Sequence, residues 1–378
     1  MTKTGKDTVV LIGNHYIVIY NFRKELIQSL IRQGYRVVVL LPCTEEAEKI
    51  RELGCELVDV PVDRRGMNPL KDGKLFWTYR KILKKIAPSC VLTYTIKPNI
   101  YGGFACRLLK IPYVCTVTGL GKGIEGGGIV RSVLFGMYKI ALKRVEKVFF
   151  QNADNQALFE ARNIGRKKYE LVRGSGVNLD TYALKPFPKE TEPVRFIFVA
   201  RIARIKGIDV FLEMVESIKK KYPAVEFHML GFWEEDYKER IMQLHEQGII
   251  QYHGMQSDVV SYLEKCHCLV HPSQSEGMSN SCLEAAATGR AIIASDIPGC
   301  RECVDDEVSG YLHKLDDSRD LIEKIEKFIG LPYNEKKRMG ENGRKKMEKE
   351  FSRKYVVDAY MKEVKNHTKG MERNDGLV

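Results

Sequence analysis

The sequence predicts two doubly wound, parallel-sheet α/β domains joined by a linker. Short apolar runs alternate with segments of helical periodicity in both halves of the chain. A proline-containing polar stretch interrupts this alternation near the middle. The length of 378 residues also exceeds what one hydrophobic core usually serves, about 250–300 residues.

The first domain is predicted at residues 1–180. Its first strand ends at Gly13, and helical spacing of apolar residues follows over 22–32. Strands that are apolar on both faces and separated by helices are typical of a parallel sheet covered on both sides. The predicted strands of this domain are 8–12, 36–41, 57–62, 90–92, 113–117 and 145–150.

The second domain is predicted at residues 194–350, after a linker at 181–193. A last amphipathic helix is expected at 351–366, followed by a polar tail at 367–378 that we expect to be frayed. In doubly wound folds, ligands bind at the carboxyl ends of the strands, so we expect the site there. The strands are predicted at 196–200, 226–230, 268–271 and 291–295, with helices at 208–221, 234–247, 257–265 and 279–288.

Composition and charge narrow the class of protein. Residues 1–180 hold 30 Lys and Arg against 16 Asp and Glu, a net charge of +14, whereas the remainder carries −2. Such a field favours an anionic partner: nucleic acid, an acidic membrane surface or a phosphorylated acceptor. The sequence has no run of eighteen apolar residues and no apolar signal segment, so a cytoplasmic location is expected.

The ten cysteines are predicted to be buried free thiols. They are scattered through apolar runs of a long chain, which is not typical of a disulfide framework. Cys266 with Cys268, and Cys300 with Cys303, form two close pairs, but this combination lacks the usual zinc-knuckle spacing. The sequence therefore predicts no metal site.

A polar loop and helix start in residues 271–290 bring together the groups that a nucleotide sugar needs. Ser279 and Asn280 are natural cap residues, and the N–H groups of a helix start favour an anion such as a diphosphate. Because carboxylates repel phosphate, Glu276 and Glu284 are better suited to hydroxyls on either side of it. Two glutamates near a helix start are also common surface features, so this pattern alone does not distinguish a nucleotide-sugar site from an ordinary surface.

A basic loop follows the strand predicted at 196–200. It holds Arg201 and Lys206 and ends at Gly207. The planar fork of arginine and the point charge of lysine both suit phosphate oxygens, although a solvated basic loop has the same composition. The first strand is not followed by the G-x-G-x-x-G pattern of dinucleotide-binding domains.

These pieces together resemble the retaining glycosyltransferases of family four, which have the GT-B fold of two Rossmann-like domains facing a cleft. The resemblance rests on Glu276 and Glu284 with seven residues between them, on the loop with Arg201 and Lys206, and on the GSGVN segment at 174–178. It extends over essentially the whole chain. In the first half, YNFRKEL, LTYTIKPNIYG, TVTGLG and FFQNAD are similar to enzymes that extend bacterial polyprenyl-diphosphate-linked oligosaccharides for capsule, O-antigen or glycoprotein assembly.

The resemblance implies a role for each donor-side residue. Arg201 and Lys206 would neutralise the leaving diphosphate, Glu276 would hold the transferred sugar, and Glu284 would bind the ribose. The reaction would retain anomeric configuration and need neither a metal nor a cofactor, with a UDP-sugar as donor. Donor binding is also expected at Gly13, which lets the backbone approach the diphosphate, and at the backbone N–H groups of Met278, Ser279, Asn280 and Ser281.

The acceptor side is predicted from polar residues that follow strands of the basic domain. Two positions depart from the family pattern. Asn14 stands where many members have a second glycine, and Thr118 where many have a histidine. The candidate acceptor residues are Asn14, His15, Arg23, Lys97, Asn99 and Thr118.

The segment 129–148 has the apolar spacing of a helix at a membrane interface, although a helix buried against the sheet is an alternative. The expected partners are a nucleotide-sugar donor, a lipid-linked saccharide acceptor and an anionic membrane surface, without nucleic acid. The protein would then be peripheral on the inner face of the cell membrane. Two other functions stay open: a GT-B-like nucleotide-sugar epimerase, and a non-catalytic basic membrane-binding protein with a degenerate site.

Overall fold

The computed structural model describes residues 7–63, 68–120, 128–165 and 168–368. The chain divides into two compact units. The first consists of residues 1–175 together with 354–378, and the second of residues 176–353. The stretch 181–193, predicted as a linker, belongs to the second unit.

The first unit contains a parallel sheet of seven strands in the order β3-β2-β1-β4-β5-β6-β7. Val10 of β1 pairs with Val38 on one side and with Val91 on the other, so the strand order reverses at β1. Such a switch point is where this class of sheet binds ligands, at the carboxyl ends of the strands. The strands are β1 (Thr8–Ile12), β2 (Arg36–Leu41), β3 (Glu56–Asp59), β4 (Cys90–Tyr94), β5 (Tyr113–Val117), β6 (Lys147–Phe150) and β7 (Tyr169–Leu171).

Helices cover this sheet, and local sequence sets where they begin. His15 caps the first helix because its Nδ1 accepts a hydrogen bond from the Ile17 N–H at 3.3 Å. Asn68 caps the third in the same way, and Pro69 occupies its first position. The helices are α1 (Tyr16–Arg32), α2 (Glu48–Arg51), α3 (Pro69–Ile86), α4 (Gly103–Leu109), α5 (Gly128–Ala141) and α6 (Ala153–Glu160).

The second unit contains a parallel sheet of six strands in the order β10-β9-β8-β11-β12-β13. Here β8 and β11 are neighbours at the switch point, with Leu269 paired to Ile197. The strands are β8 (Arg195–Val199), β9 (Glu226–Leu230), β10 (Gln251–Tyr252), β11 (Cys268–His271), β12 (Ala291–Ser295) and β13 (Gly310–His313). The helices are α7 (Ile208–Lys221), α8 (Lys238–Glu246), α9 (Val260–Leu263), α10 (Asn280–Ala287), α11 (Ser318–Gly330) and α12 (Tyr333–Glu350).

The last helix, α13 (Arg353–His367), packs into the core of the first unit. Its Tyr360 ring lies 5.9 Å from the ring of Tyr94 and 4.7 Å from that of Phe149. The Tyr360 hydroxyl also shares a buried hydrogen bond of 2.6 Å with the hydroxyl of Thr116. The hydrophobic core of the first unit is therefore completed by residues near the C-terminus of the chain.

The predicted fold class is confirmed, and the strands at 8–12, 36–41, 113–117, 226–230, 268–271 and 291–295 have the predicted bounds. Three short strands, β7, β10 and β13, were not predicted, because each has only two to four residues and no continuous apolar run. The helix expected over 129–148 was predicted too long. It ends at Ala141, and Lys147–Phe150 form β6.

We predict that Tyr360→Ala lowers the stability of the first unit by about 3–5 kcal/mol, because truncating a buried aromatic leaves a cavity and an unpaired hydroxyl at Thr116. Tyr355→Ala is the matched control, since Tyr355 lies on the same helix and is 52% exposed. Urea unfolding followed by circular dichroism measures both. Equal midpoints for the two variants would contradict this role for α13.

Candidate active site

The carboxylate of Glu276 is the centre of the site in the second unit. It lies in the loop between β11 and α10, and its side chain is 12% exposed. Nζ of Lys206 lies 2.6 Å from Oε1, and Nε2 of His271 lies 2.9 Å from the same oxygen. Burial alone would raise the pKa of Glu276, but the charge of Lys206 and the hydrogen bond with His271 outweigh it and lower the pKa. The carboxylate is therefore held ionised.

These side chains meet because the two loops that carry them follow neighbouring strands. The Gln274 N–H donates to the carbonyl of Ile205 at 2.9 Å and ties the loops together. Gly207 has a φ of +71°, and a Cβ at this position would lie 1.8 Å from the carbonyl oxygen of Pro272. Only glycine allows this approach.

The loop after β12 closes on the same carboxylate from another side. Gly299 has a φ of +86°, and a Cβ there would lie 2.9 Å from the Cβ of Glu276. Its carbonyl accepts a hydrogen bond of 2.8 Å from the Ser279 N–H. Three loops at the carboxyl edge of one sheet thus fix the position of Glu276.

Some polar groups at the start of α10 form hydrogen bonds within the protein that hold the loop in place. Ser279 is its N-cap, with Oγ accepting from the Cys282 N–H at 3.3 Å. The Ser281 hydroxyl donates to the carbonyl of Val199 at 2.7 Å, and Met278 is buried. The expectation that every N–H group from Met278 to Ser281 cradles a phosphate therefore needs a correction. The Ser279 N–H is already bonded within the protein in this conformation.

Glu284 has partners other than Lys206 and Glu276. It is half-buried, and burial raises its pKa to about 7, against the hydrogen bond with Tyr182 and the charge of Arg353. The two glutamates therefore have opposite electrostatic environments. Glu276 is stabilised as an anion, whereas Glu284 is easily protonated and can donate or accept a hydrogen bond.

Arg201 forms its ion pair with Glu234 rather than with the central carboxylate. Glu234 comes from the loop after β9 and was not among the predicted site residues. His271 was also missed as a site residue. Its signal was its place as the last residue of an apolar strand, directly before the polar loop.

In the first unit, the predicted acceptor residues follow three adjacent strands, β1, β4 and β5. Nζ of Lys97 lies 2.6 Å from Asp72, and the Tyr101 hydroxyl donates to the other oxygen of that carboxylate at 3.1 Å. Asp72 was not predicted. The remaining residues near this edge are half-buried or buried, namely Gly13, Asn14, His15 and Thr118.

Two of the predicted acceptor residues are buried. The Arg23 guanidinium lies 4.6 Å from the ring of Tyr94 and packs on Tyr360, and the residue is 2% exposed. Asn99 is fully buried and donates to the carbonyl of Thr116 at 2.8 Å. Both side chains make their contacts inside the unit. The prediction that they contact an acceptor at the surface is therefore corrected for this conformation.

Comparison with solved structures defines the class of fold. A glycosyltransferase from Rickettsia africae superimposes with a TM-score of 0.77 at 18% identity, covering 96% of this chain and 99% of that one. Anabaena HepE in complex with UDP and glucose gives 0.76 at 14% identity, covering 95% and 100%. The chain therefore has the GT-B fold of glycosyltransferases.

Sequence comparison then gives the family. The model described as glycosyl transferases group 1 matches residues 183–346, and the glycosyl transferase 4-like model matches residues 9–152. A Campylobacter jejuni N,N'-diacetylbacillosaminyl-diphospho-undecaprenol alpha-1,3-N-acetylgalactosaminyltransferase is 30% identical over 327 residues, covering 81% of this chain and 85% of the relative. An Escherichia coli UDP-Gal:alpha-D-GlcNAc-diphosphoundecaprenol alpha-1,3-galactosyltransferase is 27% identical, covering 70% and 73%. The chain belongs to this glycosyltransferase family, as the resemblance predicts.

We predict that Gly207→Ala lowers both stability and transferase activity, because the new Cβ would push the Lys206 loop away from Pro272. Gly248→Ala is the matched control. Gly248 has a similar φ of +68° but no atom within 4 Å of its added Cβ, so it carries only the backbone strain, about 1–2 kcal/mol. Melting temperature and turnover are measured for both. If Gly207→Ala lowers melting temperature and turnover no more than the control does, the close approach of Gly207 to Pro272 is not important for activity.

Proposed function

We propose that the protein transfers a hexose or N-acetylhexosamine from a UDP-sugar to a polyprenyl-diphosphate-linked saccharide, with retention of anomeric configuration. The observation that carries the proposal is the ionised Glu276 carboxylate between Lys206 and His271 at the carboxyl edge of the second sheet. A buried anion beside a cation suits a reaction in which positive charge develops on a sugar and negative charge on a leaving diphosphate.

In the proposed step, the acceptor oxygen forms a bond to the anomeric carbon as the bond from that carbon to the diphosphate oxygen breaks. Both events occur on the same face of the sugar. The proton of the acceptor hydroxyl passes to an oxygen of the departing diphosphate. UDP leaves, and the transferred sugar keeps its configuration.

The charged residues divide this work. Glu276 accepts hydrogen bonds from sugar hydroxyls and stabilises the oxocarbenium-like state. Lys206 and Arg201 neutralise the diphosphate, which makes a metal at that position unnecessary. Glu284 binds the ribose, and its raised pKa suits a group that exchanges hydrogen bonds with hydroxyls.

A lipid-linked acceptor is supported by the surface of the first unit. An open groove of about 900 Å³ is lined by apolar side chains of α3 and α4, including Phe76, Phe104 and Leu108. Four basic residues also line it: Arg107, Lys110, Lys143 and Arg144. Apolar side chains together with cations fit a lipid near anionic headgroups.

Exposed apolar side chains on the same unit support contact with a membrane surface. Ile129 at the start of α5 is 82% exposed, and Val133 one turn later is also exposed, as are Leu70 and Trp77 on α3. Arg80 lies 5.0 Å from the ring of Trp77 and adds charge beside it. Of the helices in the described ranges, none combines the length and apolar character that crossing a membrane requires.

The alternative of a nucleotide-sugar epimerase is not favoured. The relatives described above are glycosyltransferases by name, and two of them act on sugars linked to undecaprenyl diphosphate. A non-catalytic protein with a degenerate site is not favoured either, because such a protein has no need for a paired buried carboxylate. Each such group costs several kcal/mol of desolvation.

We predict that Glu276→Gln lowers the rate of transfer by at least about 10³-fold, because a neutral amide cannot stabilise developing positive charge. UDP binding should persist or tighten, since Lys206 loses its anionic partner. A panel of UDP-sugars with a short-chain polyprenyl-diphosphate saccharide provides the assay, and calorimetry with UDP measures binding. Nuclear magnetic resonance of the wild-type product reports its anomeric configuration.

Glu216→Gln is the control for that experiment, since Glu216 lies in the same unit and forms an exposed ion pair with Arg240. It should transfer at the wild-type rate. Near-normal turnover of Glu276→Gln would remove the proposed role of the carboxylate, and an inverted product would remove the proposed retention.

We predict that the double variant Ile129→Asp with Val133→Asp reduces flotation with anionic vesicles at low salt by roughly fivefold or more, because carboxylates replace apolar contacts and repel the headgroups. Met255→Asp is the control, as Met255 is an exposed apolar residue of the second unit. Unchanged flotation of the double variant would exclude α5 from the membrane contact.

A further inference from the structure

Behind the Glu276 loop, three cysteines and one histidine form a buried cluster. One ligand atom each from His271, Cys282 and Cys300 lie within 4.8 Å of one another. Cys303 lies beside this group of three: it neighbours Cys282, and its thiol donates to the sulfur of Met278 and to the carbonyl of Gly299, both at 3.6 Å. All four residues are buried.

The histidine of this cluster has one ring nitrogen bonded and one without a partner. Its Nε2 is bonded to Glu276 at 2.9 Å. Within the described part of the chain, its Nδ1 is buried and has no hydrogen-bond partner. A buried polar atom that lacks a partner is costly, so this nitrogen calls for a ligand that accepts its lone pair.

We propose that His271, Cys282, Cys300 and Cys303 bind a structural zinc ion. Three thiolates and one imidazole are a usual tetrahedral set, with Zn–S distances of about 2.3 Å and Zn–N distances of about 2.0–2.1 Å. Binding of Zn²⁺ releases the three thiol protons, and four protein ligands leave no open position for a substrate. The ion therefore shapes the loops and takes no part in bond breaking.

The surroundings favour this ion in two further ways. Cys282 lies in the first turn of α10, and a helix N-terminus stabilises a thiolate. Metal-bound histidines usually donate their other N–H to a carboxylate, and Nε2 of His271 faces Glu276 in that manner. The zinc ion would thus fix the ring that orients the central carboxylate.

The prediction of no metal site rests on the spacing within the two close cysteine pairs. Cys300 and Cys303 do supply a chelating pair, but their partners come from β11 and α10 rather than from a second pair. Cys266 and Cys268 are not among the cluster's members. The zinc site stands independently of the proposed transfer, and only the orientation of Glu276 links the two.

The test begins with the wild-type chain expressed in zinc-supplemented medium and dialysed against buffer without metal. Elemental analysis should give about one zinc ion per chain, released on treatment with a mercurial thiol reagent. Exchange with Co²⁺ should produce the visible bands of a tetrahedral thiolate site. Zinc below about 0.1 per chain with no cobalt bands in the fully reduced protein overturns the proposal.

Variants locate the ion. Cys300→Ser should lower the zinc content by about tenfold or more, whereas Cys266→Ser, a buried cysteine outside the cluster, should keep it. Equal zinc content in both variants overturns the assignment. Because zinc content is measured without any substrate, a failed transfer assay and a failed zinc assay remain distinguishable.

Discussion

The second unit is built around one constraint, the partial burial of an ionised carboxylate. An unpaired charge in such a place costs several kcal/mol, so Glu276 needs partners that stay in position. Lys206 and His271 supply them at 2.6 and 2.9 Å. Because one partner follows β8 and the other ends β11, the pairing is possible only where these strands lie side by side. The strand order at the switch point and the ion pair therefore depend on each other.

The glycines of the site follow from the same constraint. Gly207 and Gly299 both have positive φ angles, and both would place an added Cβ against a neighbouring loop. These glycines allow three loops to pack closely around the carboxylate of Glu276. The dense packing leaves little freedom for Glu276 to reorient, and such preorganisation is what the stabilisation of a developing charge requires. Backbone geometry thus does as much for the site as the charged groups.

The parts of the fold that were predicted correctly are those set by local pattern. Buried strands such as Tyr113–Val117 are continuous apolar runs, whereas the edge strands β7, β10 and β13 are too short to produce one. In the site, Lys206 and Glu276 could be proposed because each follows a strand and matches a family motif. Asp72 and Glu234 could not, since their partners Lys97 and Arg201 lie 25 and 33 residues away in the sequence. His271 lies only five residues before Glu276, but its position as the last residue of an apolar strand gave it the pattern of a core residue. Arg23 and Asn99 read as surface polar residues, but tertiary contacts with Tyr94 and Thr116 bury them.

Charge and apolar exposure are distributed unequally between the units. Residues 1–180, nearly all of which belong to the first unit, carry a net charge of +14. The first unit also has the exposed apolar side chains of α3 and α5 and the groove. The second unit has the paired carboxylate and the cysteine cluster. Under the proposed function, this distribution gives the water-soluble donor and the lipid acceptor different binding surfaces. A water-soluble, doubly charged donor meets fixed charges on a rigid loop, whereas a lipid acceptor meets an apolar surface whose cations attract anionic headgroups. The two surfaces differ accordingly, since a diphosphate needs dense polar contacts whereas a polyprenyl chain is best accommodated by apolar ones.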